Sequence, residues 1–336
     1  MKKNCLLAGL LSLAILPSFA GTKIACVGDS ITYGSGISNR ETNSYPYFLQ
    51  KLLGDGYEVV NFGNPGKTAG DFPGQVGRWY GSTREHQEAV AFEGDIYVCN
   101  LGINDTGVWW NAGLFVQGYQ NLIDQWRGKR KDVPVIIWTR LGPDFRGEPG
   151  KKAFPGNVFP ERKYSAKDNG SSAKRGEAEK LLQKIARKKK TLTMDAYAAM
   201  ASHPEWYKDG LHPMAPGARR IAQLTCSALY RLRPWRQAAP VIRIDETRLT
   251  LTNESARALV LDHGTLKGGP KQSVIFVFGE GSVLGPGESA TIRLNAEATS
   301  ADFGSPLATK AAHAENAVFV PAGKTTAETH SRIQAD

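Results

Sequence analysis

Short apolar runs alternate with longer amphipathic segments between residues 22 and 236. The short runs are rich in β-branched residues, as expected of strands that are buried on both faces of a sheet. The five predicted strands are Lys23–Val27, Glu58–Phe62, Ile96–Leu101, Val133–Thr139 and Thr191–Asp195. The clearer helical segments are Tyr47–Leu53, Leu114–Arg127, Ala173–Lys188 and Pro216–Leu232. This order predicts an α/β fold class, with a mostly parallel sheet and helices on both of its faces.

A different pattern follows the Pro234-Trp235-Arg236-Gln237 segment. Short alternating runs are now separated by turn residues, notably Gly285-Pro286-Gly287. The predicted strands are Val241–Ile244, Arg248–Thr252, Ala258–Leu261, Val274–Phe278, Ala290–Leu294 and Ala317–Val320. We therefore predict an α/β domain over residues 21–236, a small all-β sandwich over 237–323 and a flexible tail over 324–336.

The first 20 residues have the pattern of a secretory signal peptide. Lys2 and Lys3 precede an apolar run over Leu6–Leu16, and Ser18 and Ala20 are the small residues before a cleavage point. The apolar run is too short for a membrane anchor, the alternative, which needs roughly 20 residues. We predict cleavage after Ala20, a secreted or periplasmic protein, and no transmembrane segment after cleavage.

Charge and cysteine content exclude several functional classes. The 336 residues carry a formal charge of +10, or +8 without Lys2 and Lys3, but no cluster resembles a nucleic-acid-binding motif. Cys26, Cys99 and Cys226 are too few and too far apart for a disulfide framework or a zinc site. We expect buried free thiols, with a Cys26–Cys99 bridge as the alternative in an exported protein. No His and Asp cluster has metal-ligand spacing, so we expect no metal and no cofactor.

Polar residues with catalytic potential follow three of the predicted strands. Ser30 comes directly after the first strand, Gly66 lies in the loop after the second, and Asn104 follows the third. Functional groups gather at the carboxyl ends of parallel strands, so we expect these residues to share one rim of the sheet. Asp209 and His212 lie in a loop just before the last predicted helix, which can reach the same rim.

These residue types suit acyl transfer through a serine. A hydroxyl is a poor nucleophile until a base takes its proton. His212 would be that base, and Asp209 would orient the imidazole and stabilise its charged form. The backbone N–H groups of Ser30 and Gly66 and the side-chain amide of Asn104 would form the oxyanion hole.

Each motif also has a plainer interpretation. The Asp29-Ser30 pair could cap a helix, and the Asn104-Asp105 and Asp209-Gly210 pairs could form turns. Their joint occurrence at strand ends favours catalysis. Of the six histidines, His212 is the best-placed base, whereas His86 lies in a polar stretch that predicts exposure.

Polar and aromatic residues near these motifs favour a sugar substrate over a lipid. The candidate substrate-binding residues are Asp29, Arg40, Trp109, Trp110 and Arg140. Aromatic rings suit sugar rings, and arginine suits a carboxylate. The alternatives are core packing or a lid for the two tryptophans and a surface ion pair for Arg140. An insertion over residues 142–172, rich in Gly, Pro and Lys, is predicted to shape the cleft.

Four segments resemble the sequence blocks of the GDSL/SGNH hydrolases. Gly28-Asp29-Ser30 resembles block I, Asn61–Gly66 block II, Gly102–Asp105 block III and Asp209–His212 block V. The resemblance covers about residues 22–232. It implies a flavodoxin-like three-layer sandwich with strand order 2-1-3-4-5, and a serine esterase with Gly66 and Asn104 in its oxyanion hole.

Within that family, the first domain looks like the carbohydrate-esterase branch that includes sialate O-acetylesterases. The resemblance implies removal of O-acetyl groups from glycans, with O-acetylated sialic acid as the best single guess. The alternatives are a general GDSL lipase, lysophospholipase or thioesterase, and a non-catalytic glycan-binding protein. The second domain resembles a lamin-tail-like Ig fold, although Thr265 stands where a tryptophan is often found. It could contact a cell surface or glycan, or it could stabilise the first domain.

Overall fold

The structure is a computed structural model that describes residues 21–141, 171–201, 203–244, 248–268, 273–293, 304–306, 318–321 and 332–333. The predicted signal peptide and nearly all of the predicted cleft insertion lie outside the described residues. Within these ranges, no helix combines the length and hydropathy needed to cross a membrane.

Strands and helices alternate in the first part of the described chain. The strands are β1 (Thr22–Gly28), β2 (Tyr57–Gly63), β3 (Ile96–Asn100), β4 (Val135–Trp138) and β5 (Leu192–Met194). The helices are α1 (Ser30–Tyr33), α2 (Arg40–Asn43), α3 (Tyr45–Leu53), α4 (Arg84–Ala91), α5 (Ala112–Arg127), α6 (Ser171–Lys189) and α7 (Ala215–Leu232). The strands form one parallel sheet in the order β2-β1-β3-β4-β5, which confirms the predicted flavodoxin-like fold.

Both faces of this sheet are buried, because apolar side chains leave the central strand β1 in both directions. Ile24 and Cys26 contribute to a core cluster with α3 and α7. Ala25 and Val27 contribute to a second cluster with α5 and α6 on the opposite face. The three layers follow from this alternation, since every residue from Ile24 to Gly28 is buried.

The carboxyl ends of β1, β2 and β3 are level with one another. Gly28 lies opposite Gly63 on one side and Asn100 on the other. A Cβ atom at Gly28 would lie 2.3 Å from Thr32 Oγ1 and 2.5 Å from the carbonyl oxygen of Asn100. Glycine at this position therefore lets α1 begin directly at the end of the strand, at the rim that the three strands share.

The cysteines of this sheet are free and buried, as predicted. Cys26 and Cys99 belong to core clusters on opposite faces of the sheet, so their side chains point away from each other. Burial raises the pKa of each thiol to about 12, which keeps both protonated at neutral pH.

The second part of the described chain is built from short strands. They are β6 (Val241–Ile244), β7 (Arg248–Thr252), β8 (Leu259–Val260), β9 (Thr265–Gly268), β10 (Ser273–Phe278), β11 (Val283–Leu284), β12 (Ser289–Arg293), β13 (Gly304–Pro306), β14 (Val318–Val320) and β15 (Arg332–Ile333). They form four-stranded sheets in the orders β13-β10-β9-β14 and β12-β7-β6-β15 and a β11-β8 pair. This confirms the predicted all-β class for the region.

Several of these strands differ from the sequence-based prediction. The four that it lacks, β9, β11, β13 and β15, are two to four residues long, too short for an alternating pattern to stand out. β15 pairs in parallel with β6, so Arg332–Ile333, within the predicted flexible tail, form a strand. Apolar side chains from several of the strands, including Leu251, Phe276, Phe278 and Phe319, share a separate core cluster.

The β region packs directly against two helices of the α/β part. Ala258, Val260 and Val283 belong to the same core cluster as the buried residues of α3 and α7. The backbone N–H of Ala258 donates to the carbonyl oxygen of Leu52 at 2.9 Å. Arg220 of α7 donates to the Gly281 carbonyl oxygen at 2.7 Å. These contacts support the stabilising role among the two that the sequence leaves open.

Asp262 is the polar centre of this interface. Its buried carboxylate accepts hydrogen bonds from the Ser227 hydroxyl, from Arg231 Nη1 at 3.0 Å and from the Gly281 backbone N–H at 3.1 Å. Two of these donors lie on α7 and the third lies in the β region. The carboxylate therefore joins the two parts, and it is the acceptor for the buried Ser227 hydroxyl and Gly281 N–H, whereas Arg231 also pairs with Glu280 at 3.5 Å.

We expect Asp262→Ala to lower the free energy of unfolding by roughly 3 kcal/mol, because it leaves the buried Ser227 hydroxyl and the buried Gly281 N–H without their acceptor. Urea unfolding followed by circular dichroism measures the change. Glu254→Ala, which removes an exposed carboxylate from the same region, is the matched control. Equal stability of the two variants would contradict a joining role for Asp262.

Candidate active site

Ser30 is the first residue of α1, and only Asp29 separates it from the end of the buried strand β1. The side chain of Asp29 caps this helix, since its Oδ1 accepts the backbone N–H of Ile31 at 2.9 Å. The helix-cap interpretation of the Asp29-Ser30 pair is therefore correct, and it is compatible with a functional role. The cap fixes the first turn, and the N–H of Ser30 has no acceptor within the helix.

The loop that carries His212 is wrapped around the carboxylate of Asp209. Asp209 Oδ1 accepts the backbone N–H groups of Leu211 at 3.0 Å and of His212 at 2.7 Å. Gly210 between them has a φ of 79°, in the left-handed region that glycine adopts without strain. This turn explains the three-residue spacing, because it brings the imidazole back onto the other carboxylate oxygen.

The structure brings Ser30, His212 and Asp209 into one hydrogen-bonded chain. His212 Nε2 lies 2.9 Å from Ser30 Oγ, and His212 Nδ1 lies 2.6 Å from Asp209 Oδ2. Burial raises the pKa of Asp209, but hydrogen bonds from the side chain and backbone of His212 outweigh it and hold the pKa well below its usual range. Asp209 therefore stays ionised at neutral pH and can support a positive charge on the imidazole.

Gly66 and Asn104 lie in the loops that follow β2 and β3. Gly66 has a φ of 75°, and its backbone N–H finds no acceptor among the residues described. Asn104 Nδ2 donates to the Lys67 carbonyl oxygen at 3.0 Å and makes a longer contact of 3.4 Å with Asp29 Oδ2. The loop after β2 and the loop after β3 therefore meet beside the residue that precedes Ser30.

Asp105 clamps the same two loops together. It is fully buried, and its carboxylate oxygens accept the backbone N–H groups of Ala69 at 3.0 Å and Gly70 at 2.8 Å. Burial raises the pKa of Asp105 to about 7, although the two N–H donors oppose the shift. From the sequence, Asp105 belongs to a possible turn and to the block III resemblance, but its anchoring contacts could not be predicted because they lie 35 residues or more away in the chain.

Asp29, a predicted substrate-binding residue, lies beneath Ser30 and is fully buried. Its carboxylate accepts hydrogen bonds from the Ile31 backbone N–H and, at the longer distance of 3.4 Å, from Asn104 Nδ2. Burial raises its pKa to about 7, and the Ile31 N–H and the charge of His212 work in the opposite direction. These contacts are all internal to the protein.

The two arginines predicted to bind substrate are both in ion pairs. Arg40 lies over the ring of Tyr33, with Cζ 3.9 Å from the ring centroid, and pairs with Glu41 at 3.2 Å. Arg140 pairs with Asp195 at 3.7 Å, which is the surface ion pair that the sequence leaves open as an alternative. Their charges are therefore compensated within the protein.

The two predicted tryptophans differ in their surroundings. Trp110 donates from Nε1 to Glu177 at 2.9 Å and lies against Phe115, with ring centroids 5.2 Å apart. Trp109 is partly buried and carries the guanidinium of Arg78 over its ring, with Cζ 4.7 Å from the centroid. Both tryptophans pack against the core cluster of this face of the sheet, which supports the core-packing alternative, and Trp109 also contacts Arg78, which was not among the predicted site residues.

The prediction that His86 is exposed was wrong. His86 is buried on α4, and its Nε2 lies 2.8 Å from Gln125 Oε1. Burial also lowers its pKa. The surrounding sequence is polar because α4 buries only His86 and Ala89, so the short helix leaves no clear apolar pattern.

Metal-ligating side chains are not clustered at the site. Over the described ranges, no group of three or more His, Cys, Asp or Glu residues could hold a metal ion.

We expect Asp105→Asn to lower kcat about 100-fold with little change in KM, because an amide cannot accept both backbone N–H groups and the loop that carries Gly66 loses its anchor. Steady-state hydrolysis of p-nitrophenyl acetate provides both constants. Asp124→Asn, on the exposed side of α5, is the control. A kcat for Asp105→Asn that matches this control would contradict the clamp.

Solved structures and a curated relative resemble the α/β part of the chain. The aryl esterase of M. smegmatis, in an inhibitor-bound form, is 18% identical with a TM-score of 0.50, covering 63% of this chain and 100% of its own. This likeness shows the fold alone. Est24, a carbohydrate acetylesterase from Sinorhizobium meliloti, is 18% identical with a TM-score of 0.47, covering 62% of this chain and 99% of its own.

A curated relative is an acetylxylan esterase of Xylanibacter ruminicola, 30% identical over 221 residues. The match covers 63% of this chain and 44% of the relative, so the chain spans less than half of that protein. The model of the GDSL-like Lipase/Acylhydrolase family matches residues 26–220, which include every member of the Ser30–His212–Asp209 chain. The protein thus belongs to the GDSL-like lipase/acylhydrolase family.

Proposed function

We propose that the protein is a secreted serine esterase that removes O-acetyl groups from carbohydrates through an acetylated Ser30. The observation that carries this proposal is the continuous hydrogen-bond chain from Ser30 Oγ through His212 to Asp209, with distances of 2.9 and 2.6 Å. In that geometry the base is already within reach of the proton that it must remove.

In the first step, His212 Nε2 takes the proton of Ser30 as Oγ attacks the acetyl carbonyl carbon. Asp209 holds Nδ1 and stabilises the imidazolium that forms. The tetrahedral intermediate then collapses as the sugar oxygen leaves, and His212 returns the proton to it. The products of this half-reaction are acetyl-Ser30 and a free sugar hydroxyl.

The oxyanion of the intermediate is stabilised by three donors from three strand ends. The N–H groups of Ser30 and Gly66 have no acceptor among the described residues, so both can donate to the oxyanion. Asn104 Nδ2 joins them by exchanging its long 3.4 Å contact with Asp29 for the oxyanion. Its shorter bond to Lys67 keeps the amide in place during this exchange.

Deacetylation repeats the chemistry with water as the nucleophile. His212 takes a proton from the water as it attacks acetyl-Ser30, and returns that proton to Ser30 Oγ as the bond between Oγ and the acetyl carbon breaks, releasing acetic acid, which ionises to acetate in water. The low pKa of Asp209 serves both half-reactions, because the imidazolium forms twice in each cycle.

Two acetylated carbohydrate classes have separate support. The X. ruminicola relative is named an acetylxylan esterase, which favours acetylated xylan. The resemblance to sialate O-acetylesterases favours O-acetylated sialic acid. The signal-like first 20 residues support export, where either glycan would be met.

We test this function with a substrate panel and a reactive probe. Acetylated xylan, O-acetylated sialosides, acetylated pectin and p-nitrophenyl acetate or palmitate are incubated with the wild type, Ser30→Ala and the control Ser38→Ala. We expect acetate release from at least one acetylated glycan, and a loss of about 10⁴-fold or more in Ser30→Ala because the nucleophile is absent. A fluorophosphonate probe should label the wild type and Ser38→Ala but not Ser30→Ala.

Cleavage of the palmitate ester without release of acetate from any glycan would contradict the carbohydrate assignment and favour a lipase. A folded wild type that neither reacts with the probe nor hydrolyses p-nitrophenyl acetate would contradict the esterase assignment and favour a glycan-binding protein.

A further inference from the structure

The loop between β2 and α4 folds back so that a basic residue lies beside Gly66. The backbone N–H of Thr68 donates to the Arg78 carbonyl oxygen at 2.8 Å, and the N–H of Tyr80 donates back to Thr68 at 2.9 Å. Thr68 is therefore joined to the segment Arg78–Tyr80 by two backbone hydrogen bonds. Because Thr68 is two residues from Gly66, these bonds fix the backbone of Arg78 next to the proposed oxyanion donor.

The side chain of Arg78 is held without a carboxylate. Its Nη1 lies 3.4 Å from the Gly66 carbonyl oxygen, and its Cζ lies 4.7 Å from the ring centroid of Trp109. Across the described part of the chain, it forms no ion pair. A guanidinium has five N–H donors, and this one uses a single weak bond, so most of its donors are available to a ligand.

A second cation lies in the same loop. Lys67 Nζ donates to the carbonyl oxygen of Gly77 at 2.7 Å and, like Arg78, has no acidic partner within the described ranges. Lys67 follows Gly66 in the chain and its Nζ bonds the residue before Arg78, so the loop carries two positive charges that no described carboxylate compensates. Arg40 and Arg140 contrast with them, because Glu41 and Asp195 compensate their charges.

Trp109 gives this charged edge an aromatic wall. The indole lies over Gly107, where an added Cβ atom would be only 2.6 Å from the ring. Its association with Arg78 orients the planar guanidinium and reduces the rotational freedom that binding would otherwise remove. An oriented guanidinium beside an aromatic ring suits a planar carboxylate attached to a sugar.

We propose that Arg78, oriented by Trp109 and assisted by Lys67, is a carboxylate-binding subsite beside the acetyl-binding site. The preferred substrate is then an O-acetylated sugar that itself carries a carboxylate, of the uronic or sialic acid type. This inference rests on the proposed function, because it takes the Gly66 N–H as the donor to the acetyl oxygen. Arg78 contacts the Gly66 carbonyl, which belongs to the peptide group that follows the one carrying the Gly66 N–H. The contact with Arg78 therefore does not occupy that N–H.

The test compares two substrates that differ only in the carboxylate. Acetate release is measured from an O-acetylated methyl glucuronoside as the free acid and as its primary carboxamide, at low ionic strength. The proteins are the full-length wild type, Arg78→Gln, Arg78→Lys and the control Arg84→Gln. Arg84 is the first residue of α4. It is exposed, pairs with Glu88 and lies outside the proposed site.

We expect the wild type and Arg84→Gln to favour the acid over the amide in kcat/KM by roughly 10- to 100-fold, the value of one charge-assisted hydrogen bond. Arg78→Gln should lose this preference, and a circular dichroism spectrum that matches that of the wild type shows that it is folded. Arg78→Lys should keep part of the preference, because it retains charge but not the fork of donors. Added salt should reduce the wild-type preference.

Equal rates of the wild type on the acid and the amide would overturn the subsite while leaving the esterase assignment intact. An undiminished preference in Arg78→Gln would also overturn it. Absence of acetate release from both sugars and from p-nitrophenyl acetate would overturn the proposed function and this inference with it.

Discussion

The hydrogen bond between Ser30 Oγ and His212 Nε2 joins residues 182 positions apart, and the rest of the site depends on it. The serine side of this bond is set by β1, whose parallel register ends it level with β2 and β3. The histidine side is set by a turn around Asp209 that has its own hydrogen bonds. Neither side requires the other for its local geometry. The fold of the α/β part is what brings the hydroxyl and the imidazole, the proposed nucleophile and base, within 2.9 Å of each other.

Buried carboxylates support this arrangement at an energetic cost. Asp29 and Asp105 are both fully buried near the site, and burial raises the pKa of each to about 7. Because the folded state holds these protons more tightly than the unfolded chain, the two groups make the fold less stable as the pH rises from about 4 to about 7. In return, the two carboxylates position the groups of the site, since Asp29 caps the helix that begins at Ser30 and Asp105 holds the loop that carries Gly66.

The parts of the site that lie at strand ends could be predicted from the sequence, because a parallel sheet gathers its carboxyl ends whatever the loops do. Ser30, Gly66 and Asn104 are of this kind, whereas the Asp209–His212 turn was predicted from its place in the loop before the last helix. Arg78 could not be predicted, since it reaches the site only through a loop that folds back on Thr68 and no local pattern encodes that return. Likewise the packing of the β region on α7 depends on isolated polar residues such as Asp262, which no periodicity marks.

Acylation of Ser30 is tested most directly by identifying the residue that becomes acylated during turnover. The protein is mixed with p-nitrophenyl acetate, quenched in acid and digested, and the peptides are analysed by mass spectrometry. We expect one acetyl group on the peptide that contains Ser30, and none on that peptide in Ser30→Ala. An acetyl group on a different catalytic side chain, or acetate release by Ser30→Ala at the wild-type rate, would contradict this expectation.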